Sequence, residues 1–132
     1  NSGGQASVTI IRAMSLGEVD FRDYFRVIWK EIRVGLVCGL SLAAVNFVKI
    51  WLVDKMLFRN DEITLLIDIA ICLTLVVEIV FAKFIGCSLP MLAKKIGFDP
   101  AVMSSPFITT IVDAVALLIF FGISSMVIPQ LR

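Results

Sequence analysis

Three apolar segments, each long enough to cross a lipid bilayer, constrain the fold of this chain more than any other feature. They run over about residues 34–53, 63–89 and 101–129, and a hydrocarbon core of ~30 Å needs about 20 such residues per helix. Because lipid offers no hydrogen-bond partners, each segment must satisfy its backbone internally, as an α-helix does. Hydrophobic residues make up 59% of the sequence, which is more than a soluble domain holds. The sequence therefore predicts an all-α membrane protein.

Two shorter segments come before the first span. Residues 6–14 are apolar over half a span, which indicates the end of a preceding transmembrane helix whose beginning is absent. Residues 15–33 place apolar side chains at three- and four-residue spacing among charged ones, the pattern of an amphipathic interfacial helix; the alternative is a short soluble linker helix. Tyr24 and Trp29 suit the headgroup region. We expect a helical bundle of three full transmembrane helices, the end of a preceding one and an interfacial helix.

Charge and cysteine usage exclude several functions. The net charge is +1 and the basic residues are spread over the loops, so nucleic acid is not an expected partner. The chain has no His, and its three Cys lack metal or redox spacing. Basic residues concentrate in residues 12–33 and at 94–95, whereas the other connections hold Lys55, Arg59 and Arg132. The positive-inside rule then places the first two regions in the cytoplasm and the C-terminus outside.

Proline and glycine positions predict the ends of the last two spans. Pro90 and Gly97 should end the second span, after which Asp99 caps the third helix and Pro100 is its first residue. Pro106 should fall inside that third helix and free a backbone carbonyl four residues upstream. Such a carbonyl is either satisfied by a neighbouring helix or offered to an ion.

Asp113 lies inside the last apolar segment, where a carboxylate costs roughly 2.5 to 3.5 kcal/mol on insertion scales and usually marks an ion path. Ser105 and Thr109 precede it at four-residue steps and Thr110 lies beside them, so hydroxyls and a carboxylate share a helix face. Mg²⁺ prefers such oxygen ligands and often keeps its water shell. One Asp per chain suffices if two chains face each other across a central pore. Alternatively, Asp113 pairs with a lysine, either Lys49 or Lys83, and serves packing alone.

Other polar residues within the spans give weaker signals. Lys49 and Lys83 are expected to snorkel toward the surface, while Asn46 and Asp68 suit hydrogen bonds between helices. Glu78 fits two roles equally, an ion- or proton-coupled one and an interhelical hydrogen bond in its protonated form.

Two motifs in order resemble the MgtE family of magnesium channels and transporters. The first comprises Asn1-Ser2-Gly3-Gly4-Gln5-Ala6-Ser7, Ile11-Arg12 and Leu16-Gly17-Glu18, similar to the family's pore-helix signature. The second comprises Gly97-Phe98-Asp99-Pro100-Ala101, Ser105-Pro106, Thr109-Thr110 and Asp113, similar to its last-helix signature. Ala116 stands where many members have Gly. The resemblance covers essentially the whole chain, from partway through a second helix to a fifth.

This resemblance implies a homodimer of five-helix membrane domains whose second and fifth helices line the pore. A hydrated Mg²⁺, the transported ion, would lie near Asp113, with Ser105, Thr109 and Thr110 nearby. Asn1 and Gln5 would supply amides from the other pore helix. Members often carry cytoplasmic magnesium-sensing domains, which we expect to be absent here or to have been removed. The expected location is the bacterial inner membrane.

The sequence therefore predicts that residues 1–132 form one N-terminally incomplete, cation-conducting membrane domain, with Mg²⁺ as the main ion. We expect a transport protein and not an enzyme, with membrane lipid, divalent cations and a second copy as partners. Two alternatives remain open. One is a secondary carrier that couples Mg²⁺ to another ion through Glu78, and the other is a membrane scaffold whose polar residues only hold helices together.

Overall fold

The computed structural model describes residues 1–57, 61–103 and 105–128; the side chains of Asp54, residues 61–64, Met103 and Ser105 lie outside the description. Four α-helices occur in the described part, joined in places by short 3₁₀ turns. They are α1 (Ser2–Ser15), α2 (Tyr24–Leu57), α3 (Asp61–Lys95) and α4 (Ser105–Val127), with 3₁₀ turns at Phe21–Asp23 and Pro100–Met103. The predicted all-α fold is confirmed.

Three of the helices have the length and composition of membrane spans. The spanning segments are Phe21–Leu57, Leu65–Lys95 and Pro106–Val127. The 34 residues of α2 extend about 51 Å at ~1.5 Å per residue, well beyond a hydrocarbon core of ~30 Å. One end of α2 must therefore project into the headgroup region or beyond it.

The amphipathic segment differs from its predicted boundaries. It is continuous with the first span in one helix, because no proline interrupts the chain between Tyr24 and Leu57. Residues 16–20 form the connection from α1 instead of a helix. A capping box between Asp20 and Asp23 starts the new helical segment, in which the Asp20 amide donates to Asp23 Oδ2 over 3.3 Å. The interfacial helix is thus the first part of α2.

Glycines end α1 and α3 in the same way. Gly17 and Gly97 have φ of 71° and 89°, the left-handed region that favours glycine. The amide that follows each glycine reaches back to the helix, from Glu18 to the Ala13 carbonyl at 3.0 Å and from Phe98 to the Ala93 carbonyl at 2.9 Å. This is the Schellman pattern, and it confirms Gly97 as a helix terminator.

Both prolines that were expected to shape the spans behave differently. Pro90 lies inside α3 and is fully buried, so the prediction that it ends the second span is wrong. Neighbouring helices make an interior proline tolerable in a membrane bundle. Pro106 is the second residue of α4 and does not fall inside a longer helix, since a 3₁₀ turn precedes α4. Its missing amide therefore costs nothing there, and Val102, whose carbonyl was expected to be freed, lies in the preceding 3₁₀ turn and not within the helix.

Helix α3 is central and packs against each of the other three. Small residues at four-residue spacing on α2 let the two longest helices approach closely: Gly35 faces Val80 and Lys83, Gly39 faces Val76. At the next step the Cys72 thiol donates to the Ala43 carbonyl over 3.3 Å. As numbers rise on α2 they fall on α3, so the helices form an antiparallel hairpin held by close backbone contact.

Helix α1 crosses α3 at two glycines. A Cβ added at Gly86 would overlap the backbone of Gly3, and one added at Gly3 would lie 2.8 Å from the Ala82 carbonyl oxygen and 2.9 Å from Val112 Cγ2. Gly3 therefore occupies the junction of α1, α3 and α4. Beyond this crossing α1 is anchored by a buried cluster, which comprises Ala6, Ile10, Met14, Ile28, Cys87 and Met91.

Candidate functional site

An open groove of about 410 Å³ separates α1 from α4 on the outer face of the bundle. Asn1, Gly4, Gln5, Val8 and Thr9 line it from α1, and Thr109 lines it from α4. Four-residue spacing aligns Asn1, Gln5 and Thr9 along one helix face. The two amides singled out from the sequence thus lie opposite one of the predicted hydroxyl residues, on a helix more than a hundred positions later.

Asp113 is exposed on α4, one turn beyond Thr109. It does not line the groove itself, but four residues along a helix advance only about 6 Å. No ion pair involves it within the described part of the chain. An exposed carboxylate on a membrane-spanning helix is costly against lipid, so this face requires water, a cation or another protein surface.

The remaining predicted site residues divide between described and undescribed positions. The Thr110 hydroxyl donates to the Pro106 carbonyl over 2.9 Å, a bond within its own helix. This leaves its oxygen able to accept another contact but supplies no link to α1. The side chains of Ser104 and Ser105 lie outside the described part of the structure. The role of Ser105 as a ligand therefore stays a prediction.

The structure does not support the alternative in which Asp113 forms an ion pair with Lys49 or Lys83. Lys83 Nζ lies 3.0 Å from Glu31 Oε2, and the two side chains are only 11% and 12% exposed. The prediction that Lys83 snorkels is therefore wrong, since its charge is neutralised by Glu31 in the α2–α3 interface. Lys49 is exposed on α2, and its ion pairing with Asp113 is not observed.

A metal centre within a single copy is not formed by the described residues. No three His, Cys, Asp or Glu side chains among them are close enough together to hold an ion. A larger cleft of about 630 Å³ lies between α3 and α4, but its lining is apolar apart from Ser124 and Ser125. Among the described residues, the α1–α4 groove brings amide and hydroxyl groups together, and the Asp113 carboxylate lies one turn farther along α4.

Three groove-lining residues, Gly4, Val8 and Thr9, were not among the site residues predicted from the sequence. Thr9 follows Gln5 by four residues, and its hydroxyl donates to the Gln5 carbonyl over 2.9 Å. Helical spacing from Gln5 would have identified it. Gly4 could not be identified as a ligand in this way, because it has no side chain and only leaves room in the groove.

The two basic regions lie at the same end of the bundle. Lys94 Nζ lies 3.6 Å from Asp20 Oδ1, and Lys95 Nζ lies 4.2 Å from the centre of the Phe21 ring. The grouping that the positive-inside rule requires is therefore present. The cytoplasmic location of this end stays a prediction.

Comparison with known proteins agrees with both motifs. A family model, MgtE, described as "Divalent cation transporter", matches residues 1–123. Proteins named "Magnesium transporter MgtE" from Thermus thermophilus and Enterococcus faecalis are each 35% identical, over 97% and 96% of this chain. One of that name from Bacillus subtilis is 30% identical over 99%. The chain spans about a quarter of their length, 26% to 27%.

The match extends from the groove residues of α1 to beyond Asp113 on α4, so it includes both helices that form the candidate site. The family description is that of transporters and not of enzymes, as the sequence predicts. The chain belongs to the MgtE family.

Proposed function

We propose that this chain contributes to a pore that conducts divalent cations, chiefly Mg²⁺, across the cell membrane, with two copies facing each other through α1 and α4. The observation that carries the proposal is the exposed carboxylate of Asp113, one turn from a groove in which Asn1 and Gln5 of α1 meet Thr109 of α4. The names of the relatives support Mg²⁺ as the ion.

The charge distribution favours a site shared between two copies. One carboxylate cannot neutralise a dication, and the described part of a single copy holds no cluster of three or more His, Cys, Asp or Glu side chains that could bind one. A two-fold axis beside α4 would bring two Asp113 side chains to one channel. Their mutual repulsion without an ion would favour occupancy by a divalent cation over a monovalent one.

The groove suits an ion that keeps its water shell. Amide and hydroxyl groups on α1 and α4 can hydrogen-bond to coordinated water, and Mg²⁺ dehydrates reluctantly. Selectivity would then depend on charge and pore width instead of a complete cage of protein ligands. The ion is the transported substrate, and no covalent step is required of the protein.

The test is Asp113→Asn in the full-length protein, reconstituted in liposomes that contain a Mg²⁺-sensitive dye. Loss of two charges from the shared channel should reduce Mg²⁺ influx by about tenfold or more, the effect of ~1.4 kcal/mol or more on the barrier. Asp20→Asn is the matched control, because Asp20 is an exposed acid outside the groove and Asn caps a helix equally well.

Undiminished influx through Asp113→Asn would refute the pore proposal. Influx that requires a counter-ion gradient, and that Glu78→Gln abolishes, would favour the coupled carrier. A linear dependence of influx on membrane voltage in the unsubstituted protein, without any counter-ion gradient, supports conduction through a pore.

A further inference from the structure

A row of basic side chains occupies the exposed face of the first part of α2. Arg26, Lys30 and Arg33 are all exposed, and at ~100° per residue their spacing keeps them within an arc of about 60°. Arg22 precedes them by the same four-residue step from the adjoining 3₁₀ turn. The transport site described above uses none of these residues.

The row continues into a groove on the same helix face. This groove has a volume of about 360 Å³ and is lined by Lys30, Arg33, Val34, Val37 and Cys38. Two cationic side chains therefore lie at one end and three apolar or weakly polar ones at the other. Such a lining suits a ligand with a negatively charged head and an apolar tail.

The change from charge to apolar character coincides with the membrane boundary. The apolar run of α2 begins at Val34, immediately after Arg33. Because α2 is longer than the bilayer is thick, one of its ends extends into the headgroup region, and the exposed basic row assigns that place to its first turns. Trp29, which is 64% exposed on this part of α2, suits that depth. The groove thus crosses from the headgroups into the acyl chains.

The basic row is not neutralised by the protein described here. Two ion pairs occur among the described residues, Lys83 with Glu31 and Lys94 with Asp20, and neither includes Arg26, Lys30 or Arg33. Contact between this face and the same face of a second copy would oppose like charges. A free phosphate would leave the apolar end of the groove unused.

We propose that this groove binds an anionic phospholipid. The lipid phosphate lies between Lys30 and Arg33, where a guanidinium can make two parallel hydrogen bonds to its oxygens. An acyl chain follows Val34 and Val37 into the membrane. Basic clusters beside a transmembrane helix attract anionic lipids in this way.

Trp29 provides the measurement. The sequence holds two tryptophans, Trp29 and Trp51, and Trp51→Phe leaves Trp29 as this chain's reporter. The full-length protein is placed in two kinds of phosphatidylcholine bilayer. One contains brominated phosphatidylglycerol and the other contains brominated phosphatidylcholine, each with bromine near the headgroup end of the acyl chains. We expect stronger quenching by brominated phosphatidylglycerol at equal mole fraction.

Matched variants separate a binding site from general surface charge. Lys30→Ala with Arg33→Ala should lower the preference for phosphatidylglycerol about fivefold per basic side chain removed. Lys94→Ala with Lys95→Ala removes the same charge at the same end of the bundle, outside the groove, and should retain the preference. Lys30→Arg with Arg33→Lys keeps both charges and should retain it as well.

Three results would overturn the proposal. Equal quenching of Trp29 by the two brominated lipids would show that the surface does not select between them. Quenching by neither lipid would show that protein covers the groove. Displacement of the phosphatidylglycerol effect by millimolar inorganic phosphate would show a site for free phosphate. Equal losses in both alanine pairs would show attraction to net charge alone.

Discussion

Two polar regions of this bundle use their charged and polar side chains in opposite ways. In the α2–α3 interface, Glu31 bonds to Lys83 at 3.0 Å, and the Tyr24 and Ser88 hydroxyls lie 3.1 Å apart. On the α1–α4 face, Asp113 is exposed and has no ion pair among the described residues. Both regions lie on helices that cross the membrane or border it.

The difference shows how structural polarity can be distinguished from functional polarity in a membrane helix. Burying a charge costs several kcal/mol unless an opposite charge compensates it, so a structural charge is retained together with its partner. A charge without a partner in its own chain must be compensated from outside, by water, an ion or another subunit. By this criterion the α2–α3 pair is a structural pair, and Asp113 fits the proposed transport site.

The largest expected effect on stability comes from breaking the buried pair. Lys83→Met would leave the Glu31 carboxylate without its counter-charge, which should destabilise the folded protein by about 3 kcal/mol. Denaturation in detergent, followed by circular dichroism, measures this change. The groove between α1 and α4 should remain unaltered in the fraction of the protein that stays folded.

The control for this prediction is the double variant Glu31→Gln with Lys83→Met. Because it removes both charges, it should recover most of the stability that Lys83→Met loses. A double variant as unstable as the single one would show that Lys83 acts through packing, since its stem contacts Gly35, and that the pair is not the stabilising element.

The sequence was sufficient to predict what depends on local pattern. Apolar segment length gave the three spans, the left-handed glycine at Gly97 gave a helix end, and four-residue spacing placed Thr109 and Asp113 on one face of α4. Each of these features is decided within one continuous segment of the chain.

The Asp99 carboxylate accepts from the Ala101 amide at 2.9 Å, but it caps the 3₁₀ turn Pro100–Met103 and not α4, which begins at Ser105. The prediction that Asp99 caps the third spanning helix and that Pro100 is its first residue is therefore wrong.

What the sequence could not give depends on contacts between distant segments. Lys83 was assigned to the surface because nothing near it in sequence indicates Glu31, 52 positions away. Pro90 was taken as a terminator because the neighbours that allow α3 to continue are not visible in one helix. The approach of Asn1 and Gln5 to Thr109 likewise depends on the crossing of α1 over α3.

The next largest effect is expected at that crossing. Gly86→Ala would place a Cβ where the Gly3 carbonyl lies, so α1 would have to shift away from α3. Overpacking of this kind typically costs about 1 to 3 kcal/mol. Because α1 carries Asn1 and Gln5, the shift should also change the selectivity between Mg²⁺ and larger divalent cations in the liposome assay.

Gly122→Ala is the matched control, since nothing lies within 4 Å of the Cβ it would add on α4. It should leave ion selectivity unchanged and be neutral or slightly stabilising, because alanine favours a helix over glycine. Equal behaviour of the two variants would show that close contact between α1 and α3 does not position the groove.

The smallest expected effect on stability is that of Asp113→Asn, the same substitution that should reduce Mg²⁺ influx by about tenfold or more. An exposed side chain without an ion pair in its own chain contributes little to folding, so the unfolding free energy should change by about 0.5 kcal/mol or less. If two copies face each other, the change should be slightly stabilising in Mg²⁺-free buffer, where two carboxylates repel. It should become slightly destabilising when Mg²⁺ is added, because the bound ion stabilises the unsubstituted protein. Denaturation of the full-length protein with and without Mg²⁺ measures both values. A destabilisation as large as that of Lys83→Met would place Asp113 among the structural charges and remove the distinction between the two regions.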